Sequence, residues 1–237
     1  MNFHKTLVYQ LISASLLAFQ TLASATGVVP DTPLLVISED TGTAQMGVKN
    51  TQDEPLLLLT TIVDIPEDKG ATVFALPAVT RIEGNKRQVI RFVLDKSDAP
   101  LKVQHLKRVT FEGIPTARPE GESSSVKIII RQDLPVVISP AGLKQDPEPW
   151  KNLNLKWADG KLTLSNPSAY VIRLSQIVSV TPDAPALKIL PRPFVLPGES
   201  FSVDIPTGVP DGIKTLQIFP ASPYGFDVPP FDAPLTR

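Results

Sequence analysis

The chain has 237 residues, a formal net charge of −1 and no cysteine. With a charge so close to neutral, the chain has no strong positive potential that would attract nucleic acid. The absence of cysteine excludes disulfides, thiolate chemistry and cysteine metal sites. Its 25 prolines, and short runs of Val, Ile, Leu, Phe and Thr between turn residues, indicate strands rather than helices. We therefore predict an all-β protein that is stabilised by packing alone.

The first 25 residues have the pattern of a secretory signal peptide. Lys5 supplies a basic start, an apolar stretch covers 7–19, and small residues at 23–25 form a cleavage site. The apolar stretch is too short to span a bilayer, and no later segment approaches the roughly 20 apolar residues that a span needs. The sequence predicts a periplasmic protein that is not membrane-anchored and whose mature form begins at Thr26.

The remaining length suits two domains of about 100 residues each. In the first domain, 26–141, turn residues separate several apolar runs. The runs that predict strands are Leu34–Ser38, Thr43–Lys49, Leu56–Asp64, Val89–Leu94, Arg108–Glu112 and Val126–Gln132. Their spacing is typical of a β-sandwich.

The polar, proline-containing segment 142–149 is predicted to be a linker to a second domain, 150–237. That domain begins with a hairpin pattern, because Asp159-Gly160 favours a type I′ turn between two alternating apolar segments. Further strands are predicted near 170–180, 187–190, 200–205 and 214–219. The proline-rich residues after 219 are predicted to form an irregular tail.

The sequence has few of the residue types that catalysis requires. His105 is the single histidine after the signal peptide, and no G-x-S-x-G elbow or phosphate-binding loop accompanies it. We expect a solvated surface histidine, and we expect Glu39 and Asp40 to be solvated in a turn. No catalytic residue, metal site or cofactor is predicted. A hydrolase that depends wholly on His105 stays the enzymatic alternative.

The predicted strand at 125–131 has a pattern that is unusual for a sheet edge. A two-residue period puts Val126, Ile128 and Ile130 on one face. In a central strand both faces would be covered, whereas at an edge three large β-branched residues would invite pairing with another chain. An unprotected edge is expected where adding a strand to a partner is the function. The pattern alone leaves both interpretations open.

Short motifs occur along the whole mature chain in an order typical of one family. The motifs lie at Pro77, Arg81 and Arg91 within 76–92, Ile114-Pro115, the alternating strand, Pro140–Leu143, Asn166–Tyr170 and Leu196–Ser200. They are similar to the segments PP-x-x-R-L-x-P…R-I, I-P, R-P-x-x-L, N-P-T-P-Y and L-x-P-x-S. In this order they resemble the PapD-like periplasmic chaperones of the chaperone-usher pathway, which assemble pili.

The resemblance implies two immunoglobulin-like β-sandwich domains with a cleft between them. It also implies that the alternating strand is the last strand of the first domain. That strand would complete a pilus or fimbrial subunit by donor-strand complementation, with Val126, Ile128 and Ile130 in pockets of the subunit. The chaperone would then deliver the subunit to an outer-membrane usher. Whether two copies cap one another as a dimer is left open. The alternative is a PapD-like module that serves another periplasmic or cell-surface assembly without anchoring a carboxylate.

The family's carboxylate anchor is not matched in this sequence. The resemblance implies an Arg on the first strand and a Lys at the base of the cleft. The first position falls at Pro33 or Leu34 and the second at Pro135, and none of these residues is basic. Lys127 and Arg131, on the neighbouring strand, are the predicted substitutes, since a charge-assisted hydrogen bond to a carboxylate needs a cation.

Two further charged positions of the family are neutral here. Ser139 replaces an Arg, and Gln104 replaces an acid. The loss of both charges together is consistent with a stable fold, because one buried charge without its partner would destabilise the fold by about 3 to 5 kcal/mol.

Overall fold

The computed structural model describes residues 27–96, 99–116, 129–181, 185–226 and 228–237. Within these ranges the chain forms seventeen strands and one 3₁₀ turn, Pro149–Asn152, without an α-helix. The prediction of an all-β protein is confirmed. No helix in the described ranges has the length and apolar character needed to cross a membrane.

The first domain contains nine strands. They are β1 Val28–Pro30, β2 Leu35–Ser38, β3 Thr43–Asn50, β4 Leu56–Asp64, β5 Val73–Leu76, β6 Val79–Ile82, β7 Arg87–Leu94, β8 His105–Pro115 and β9 Arg131–Ser139. A four-stranded sheet has the order β1-β3-β7-β5, and a five-stranded sheet has the order β2-β9-β8-β4-β6. The first segment of the chain therefore crosses from one sheet to the other between β1 and β2.

Apolar residues at alternate positions of both sheets form the core of the first domain. Ile37, Ile90 and Ile138 are completely buried, and the rings of Phe92 and Phe111 meet edge to face with centroids 6.4 Å apart. Each such side chain contributes about 1.5 to 3 kcal/mol by leaving water. This core packs the two sheets face to face as a sandwich.

The second domain contains eight strands. They are β10 Asn154–Ala158, β11 Lys161–Ser165, β12 Ile172–Ser179, β13 Leu187–Lys188, β14 Phe194–Val195, β15 Ser200–Asp204, β16 Thr215–Pro220 and β17 Phe231–Thr236. The order is β13-β12-β16-β17-β10-β11-β15, with β14 also paired to β12. The predicted hairpin is confirmed, because Asp159 and Gly160 have φ of 52° and 75°, as a type I′ turn requires.

The prediction of an irregular C-terminal tail is wrong for 231–236, which form β17, and right for 222–226 and 228–230, which belong to no strand. β17 pairs antiparallel with β16 and parallel with β10, so it lies in the middle of the sheet. Ala233 is completely buried. β17 pairs with β10 at Leu235 and Thr236, which follow Pro234. The missing N–H of Pro234 therefore removes no hydrogen bond between β17 and β10.

The last strand of the first domain also differs from the prediction. β9 continues to Ser139, seven residues beyond the expected end at Gln132. Leu134, Val136 and Ile138 alternate into the core, and this packing outweighs the strand-breaking tendency of Pro135. Residues 126–128 of the predicted strand lie outside the described residues.

The two domains contact each other through an apolar cluster. Its members are Leu34, Ile65, Leu106 and Val137 from the first domain and Val171, Phe194 and Leu196 from the second. Gln104 bonds across the interface twice: its N–H donates to the Ala169 carbonyl at 2.8 Å, and its Oε1 accepts from the Val171 N–H at 2.9 Å. The neutral Gln104 therefore joins the domains without a buried charge.

Candidate functional site

The N-terminal half of β9 has an open edge. On one side, β8 pairs with β9 from Arg131 to Ile138. On the other side, β2 pairs only with Val136–Ser139. Among the described residues, 131–135 therefore has no neighbouring strand on that side. Its backbone groups can hydrogen-bond to an added strand, which is the geometry that β-augmentation uses.

The two faces of β9 differ in burial. Val136 and Ile138 are buried in the core, and the two-residue period of a strand puts Ile130 on their side. Ile130 is half-buried, whereas its neighbour Ile129 is 50% exposed. The core-facing side of β9 therefore extends toward the predicted donor residues. Of these, Val126 and Ile128 lie outside the described residues.

The outer face of β8 and β9 carries two ion pairs. Arg131 Nη2 lies 2.7 Å from Glu112 Oε2, and Arg108 Nε lies 2.6 Å from Asp133 Oδ1. The guanidinium of Arg131, a predicted carboxylate contact, is exposed and is engaged with the partly buried Glu112. Lys127, the other predicted contact, lies outside the described residues.

The same outer face carries exposed apolar side chains. Leu57, Val79 and Ile114 are 38%, 55% and 38% exposed, and Leu57 stands opposite Ile114 in the β4–β8 ladder. Sequence reasoning missed this surface because 56–59 is a run of four leucines, in which alternation is invisible. Leu56 and Leu58 are buried while Leu57 points outward.

The positions that match the family's basic anchor have other roles. Leu34 is buried in the apolar cluster between the domains, and Pro135 lies opposite Arg108 in the β8–β9 ladder. β2 begins one residue after Leu34, so the open edge of β9 ends at the cleft. Neither side chain can bind a carboxylate by charge.

The cleft contains a cavity of about 230 Å³ whose walls come from both domains. Gln104 and Ser139 line it from the first domain, and Tyr170 and Arg173 line it from the second. Burial lowers the pKa of Arg173, and the positive charge of Arg108 lowers it further. Sequence reasoning missed Arg173, because a lone cation in the alternating segment of β12 is indistinguishable from a solvent-facing residue.

His105 is not a solvated surface residue, contrary to the prediction. Its side chain is 21% exposed, and its Nδ1 lies 2.8 Å from Asp68 Oδ1. The N–H groups of Leu106 and Gly70 also donate to Asp68. Burial raises the pKa of Asp68, but the hydrogen bonds from His105 and the two N–H groups outweigh it, so the pKa is below its ordinary value. The pair fastens the loop after β4 to the start of β8.

Two packed sandwiches, a partly unpaired last strand in the first and a cleft between them define a two-domain, immunoglobulin-like protein. Residues 27–144 match the family model for "Pili and flagellar-assembly chaperone, PapD N-terminal domain". The chain is 40% identical over 203 residues to the uncharacterized fimbrial chaperone YhcA of Escherichia coli strain K12, covering 85% of this chain and 88% of that protein. This chain belongs to the PapD-like pilus assembly chaperones of the chaperone-usher pathway.

Solved structures support the same fold. The E. coli chaperone DraB has a TM-score of 0.72 at 20% identity, covering 89% of this chain and 99% of that chain. A second similar structure is that of the Salmonella enterica SafA pilin in complex with the SafB chaperone. It has a TM-score of 0.73 at 20% identity, covering 90% of this chain and 98% of the matched chain. The predicted architecture of two immunoglobulin-like domains is confirmed.

Proposed function

We propose that this protein is a periplasmic chaperone that captures pilus or fimbrial subunits by adding its own strand to them. The open edge of β9 at 131–135 is the observation that carries the proposal. A relative at 40% identity is described as a fimbrial chaperone, and the SafB chaperone is described as bound to a pilin. The predicted signal peptide at 1–25 supports export to the periplasm.

Backbone pairing supplies affinity and the side chains supply specificity. The ladder of backbone hydrogen bonds can form with any partner sequence, so recognition depends on the pockets that the alternating side chains fill. We assign that role to Val126, Ile128 and Ile130. Burial of each of these side chains in a subunit contributes roughly 1.5 to 3 kcal/mol. The exposed Leu57, Val79 and Ile114 provide a further apolar surface on the same sheet, on β4, β6 and β8.

After capture, we propose that the chaperone delivers its subunit to an outer-membrane usher. Delivery is the step that the chaperone-usher pathway, to which the family belongs, requires of its chaperone. The alternative is a PapD-like module that serves another surface assembly. The apolar Leu34 and Pro135, at the positions of the family's basic anchor, are the feature that favours this alternative.

The Ile128→Asp variant tests the donor strand. Asp would place an unpaired carboxylate in an apolar pocket of the subunit, where desolvation costs more than the lost methyl contacts. We expect the variant to fold and to lose capture of a co-expressed pilin. Co-purification from the periplasm measures capture, and the thermal midpoint measures folding.

Ile129→Asp is the matched control, because Ile129 is half-exposed beside the donor face. It should retain both the midpoint and capture. A folded Ile128→Asp variant that captures pilin as well as the wild type does would exclude the donor-strand role of this position. An unfolded variant would show that Ile128 belongs to the chaperone's own core.

A further inference from the structure

A groove at one end of the second domain is lined mainly by aromatic and proline side chains. Its volume is about 320 Å³. One wall comes from the segment that leads into the 3₁₀ turn and consists of Pro147, Glu148 and Trp150. The other wall comes from the chain between β16 and β17 and from the start of β17, and it includes Tyr224, Phe226, Val228, Pro229, Pro230 and Phe231. We call this site the aromatic groove.

Two rings of the aromatic groove are open to solvent. Tyr224 is 47% exposed and Phe226 is 72% exposed, which makes Phe226 the most exposed large apolar side chain in the described ranges. Exposed aromatic rings beside a concave apolar surface are typical of binding sites, because a ligand that covers them removes their apolar area from water.

Trp150 brings an unused hydrogen-bond donor to the aromatic groove. The residue is 5% exposed, and its indole N–H has no hydrogen-bond partner among the described residues. The fully enclosed side-chain atoms that lack a partner in these ranges are Thr60 Oγ1 and Arg192 Nε, so the Trp150 nitrogen keeps access to solvent. Trp150 lines the groove, and its N–H is therefore reached from there. A largely buried indole N–H usually has an acceptor, and here a ligand can supply it.

The polar groups of the aromatic groove suit a ligand that has free carbonyl groups. The Tyr224 hydroxyl is a second available donor, since its contact with Gln145 is long, at 3.5 Å. The Ser222 hydroxyl already accepts from the Tyr224 N–H at 3.0 Å. A proline-rich segment in the polyproline II conformation has no internal hydrogen bonds, so its carbonyl oxygens are free, and its prolines have no N–H that needs an acceptor. Aromatic-lined grooves bind such segments in known recognition domains.

Glu148 gives the aromatic groove a negative charge. Among the described residues that line it, Glu148 alone is charged. Its carboxylate lies 2.6 Å from Lys151 Nζ, with both side chains about half exposed. Exposed pairs of this kind are weak, so the carboxylate can also pair with a cation of a ligand.

We propose that the aromatic groove binds a proline-rich segment of a partner protein in the polyproline II conformation. The Trp150 N–H donates to a backbone carbonyl of the segment, Tyr224 and Phe226 pack against its prolines, and Glu148 pairs with a basic residue. All of these residues lie in the second domain or in the linker before it. The groove can therefore bind a partner while β9 holds an added strand.

A peptide titration tests the proposal. The ligand is an octapeptide, acetylated and amidated at its ends, with a central arginine and proline at all other positions. The control peptide has alanine in place of each proline and the same charge. The ¹⁵N indole resonances of the protein's two tryptophans would be followed, with Trp157→Phe to assign them. We expect a saturable shift at Trp150, none at Trp157, and about 10-fold tighter binding of the proline peptide, because its bound conformation is already formed. No shift at Trp150, or equal binding of the two peptides, would overturn the proposal.

Exposed-ring variants test the site without disturbing the core. Phe226→Ser should weaken binding of the proline peptide by about 10-fold or more and leave the thermal midpoint unchanged. Phe74→Ser, at a 52% exposed ring of the first domain, is the matched control and should bind as the wild type does. Normal binding by Phe226→Ser, or equal losses in the two variants, would overturn the assignment of the groove.

Two further variants test the polar contacts. Trp150→Phe keeps an aromatic ring and loses the N–H, so a folded variant should bind about 2- to 10-fold more weakly. Glu148→Gln should weaken binding of the arginine peptide and leave unchanged the binding of a peptide with leucine in place of arginine. If a folded Trp150→Phe variant binds as the wild type does, the donor role of Trp150 is wrong. If Glu148→Gln binds both peptides as the wild type does, the pairing with a basic residue is wrong.

Discussion

At the scale of single residues, Asp68 shows how one carboxylate organises a loop. It receives hydrogen bonds from the His105 ring and from the N–H groups of Leu106 and Gly70. All of these bonds favour the charged form, which is why the pKa of Asp68 falls despite its burial. A group whose folded pKa is lowered stabilises the fold above its unfolded pKa. That contribution is lost as the pH falls through the folded pKa.

We predict that Asp68→Asn lowers the free energy of unfolding at pH 7 by about 1 to 3 kcal/mol. An amide has one acceptor oxygen for the donors that converge on Asp68, so at least one of them loses its partner. The difference from the wild type should shrink as the pH falls below 3.8, the ordinary pKa of the group, because the wild type loses the same charge. Urea unfolding at pH 7 and at low pH measures both values.

The control for this prediction is Asp211→Asn, which removes an exposed carboxylate that lies 3.5 Å from Arg237. It should change stability by less than about 0.5 kcal/mol. A pH-independent difference between Asp68→Asn and the wild type would contradict a role for the charge.

At the scale of elements, β17 completes the sheet of the second domain. It fills the space between β16 and β10 and so joins two parts of the domain that lie far apart in sequence. Three of its six residues, Phe231, Ala233 and Leu235, belong to the core or pack against it. The proline content of the tail conceals this strand in the sequence, yet the sheet would have a gap without it.

We predict that Ala233→Asp destabilises the second domain by about 3 kcal/mol or more, because it buries an unpaired carboxylate in the core. Pro234→Asp places the same side chain at the adjacent exposed position and should cost about 1 kcal/mol or less. Thermal and urea unfolding compare the two variants. If Ala233→Asp is as stable as the wild type, β17 does not occupy the sheet.

At the scale of the whole molecule, Arg192 joins the two domains. Its Nη1 lies 2.9 Å from Glu67 in the first domain, and its Nη2 pairs with Glu199 in the second. The guanidinium also lies over the rings of Phe194 and Phe201, at 5.0 and 5.3 Å from their centroids. The planar group can make all of these contacts at once, which an ammonium cannot. Arg192 therefore supports the cleft geometry.

We predict that Arg192→Ala loosens the contact between the domains. The loss of a mostly buried pair and of the ring contacts should lower stability by about 2 to 4 kcal/mol, and small-angle scattering should show a wider range of domain separations. Arg192→Lys keeps the positive charge but not the planar guanidinium with its several N–H donors, so it should restore only part of the lost stability. Unchanged scattering and stability for Arg192→Ala would show that the apolar cluster holds the domains by itself.

The sequence by itself determined the features that depend on local patterns. An apolar run between turn residues marks Leu56–Asp64, which is β4 with the same bounds. The preference of Asp159-Gly160 for positive φ sets the hairpin turn. The order of short motifs identified the family, because each motif lies within a few neighbouring residues. These features could be predicted because their causes do not involve distant parts of the chain.

Only the tertiary structure decided which residues meet and which stay uncovered. Lys107 is buried among core residues of β8, where its ammonium reaches Asp64 at 2.6 Å, although lysines are mostly exposed in folded proteins. The open edge of β9 exists because β2 stops pairing at Val136. Arg173 lines a cavity because residues of both domains close around it. Burial, pairing and the loss of solvent around a charge are properties of contacts between distant segments, and no local pattern encodes them.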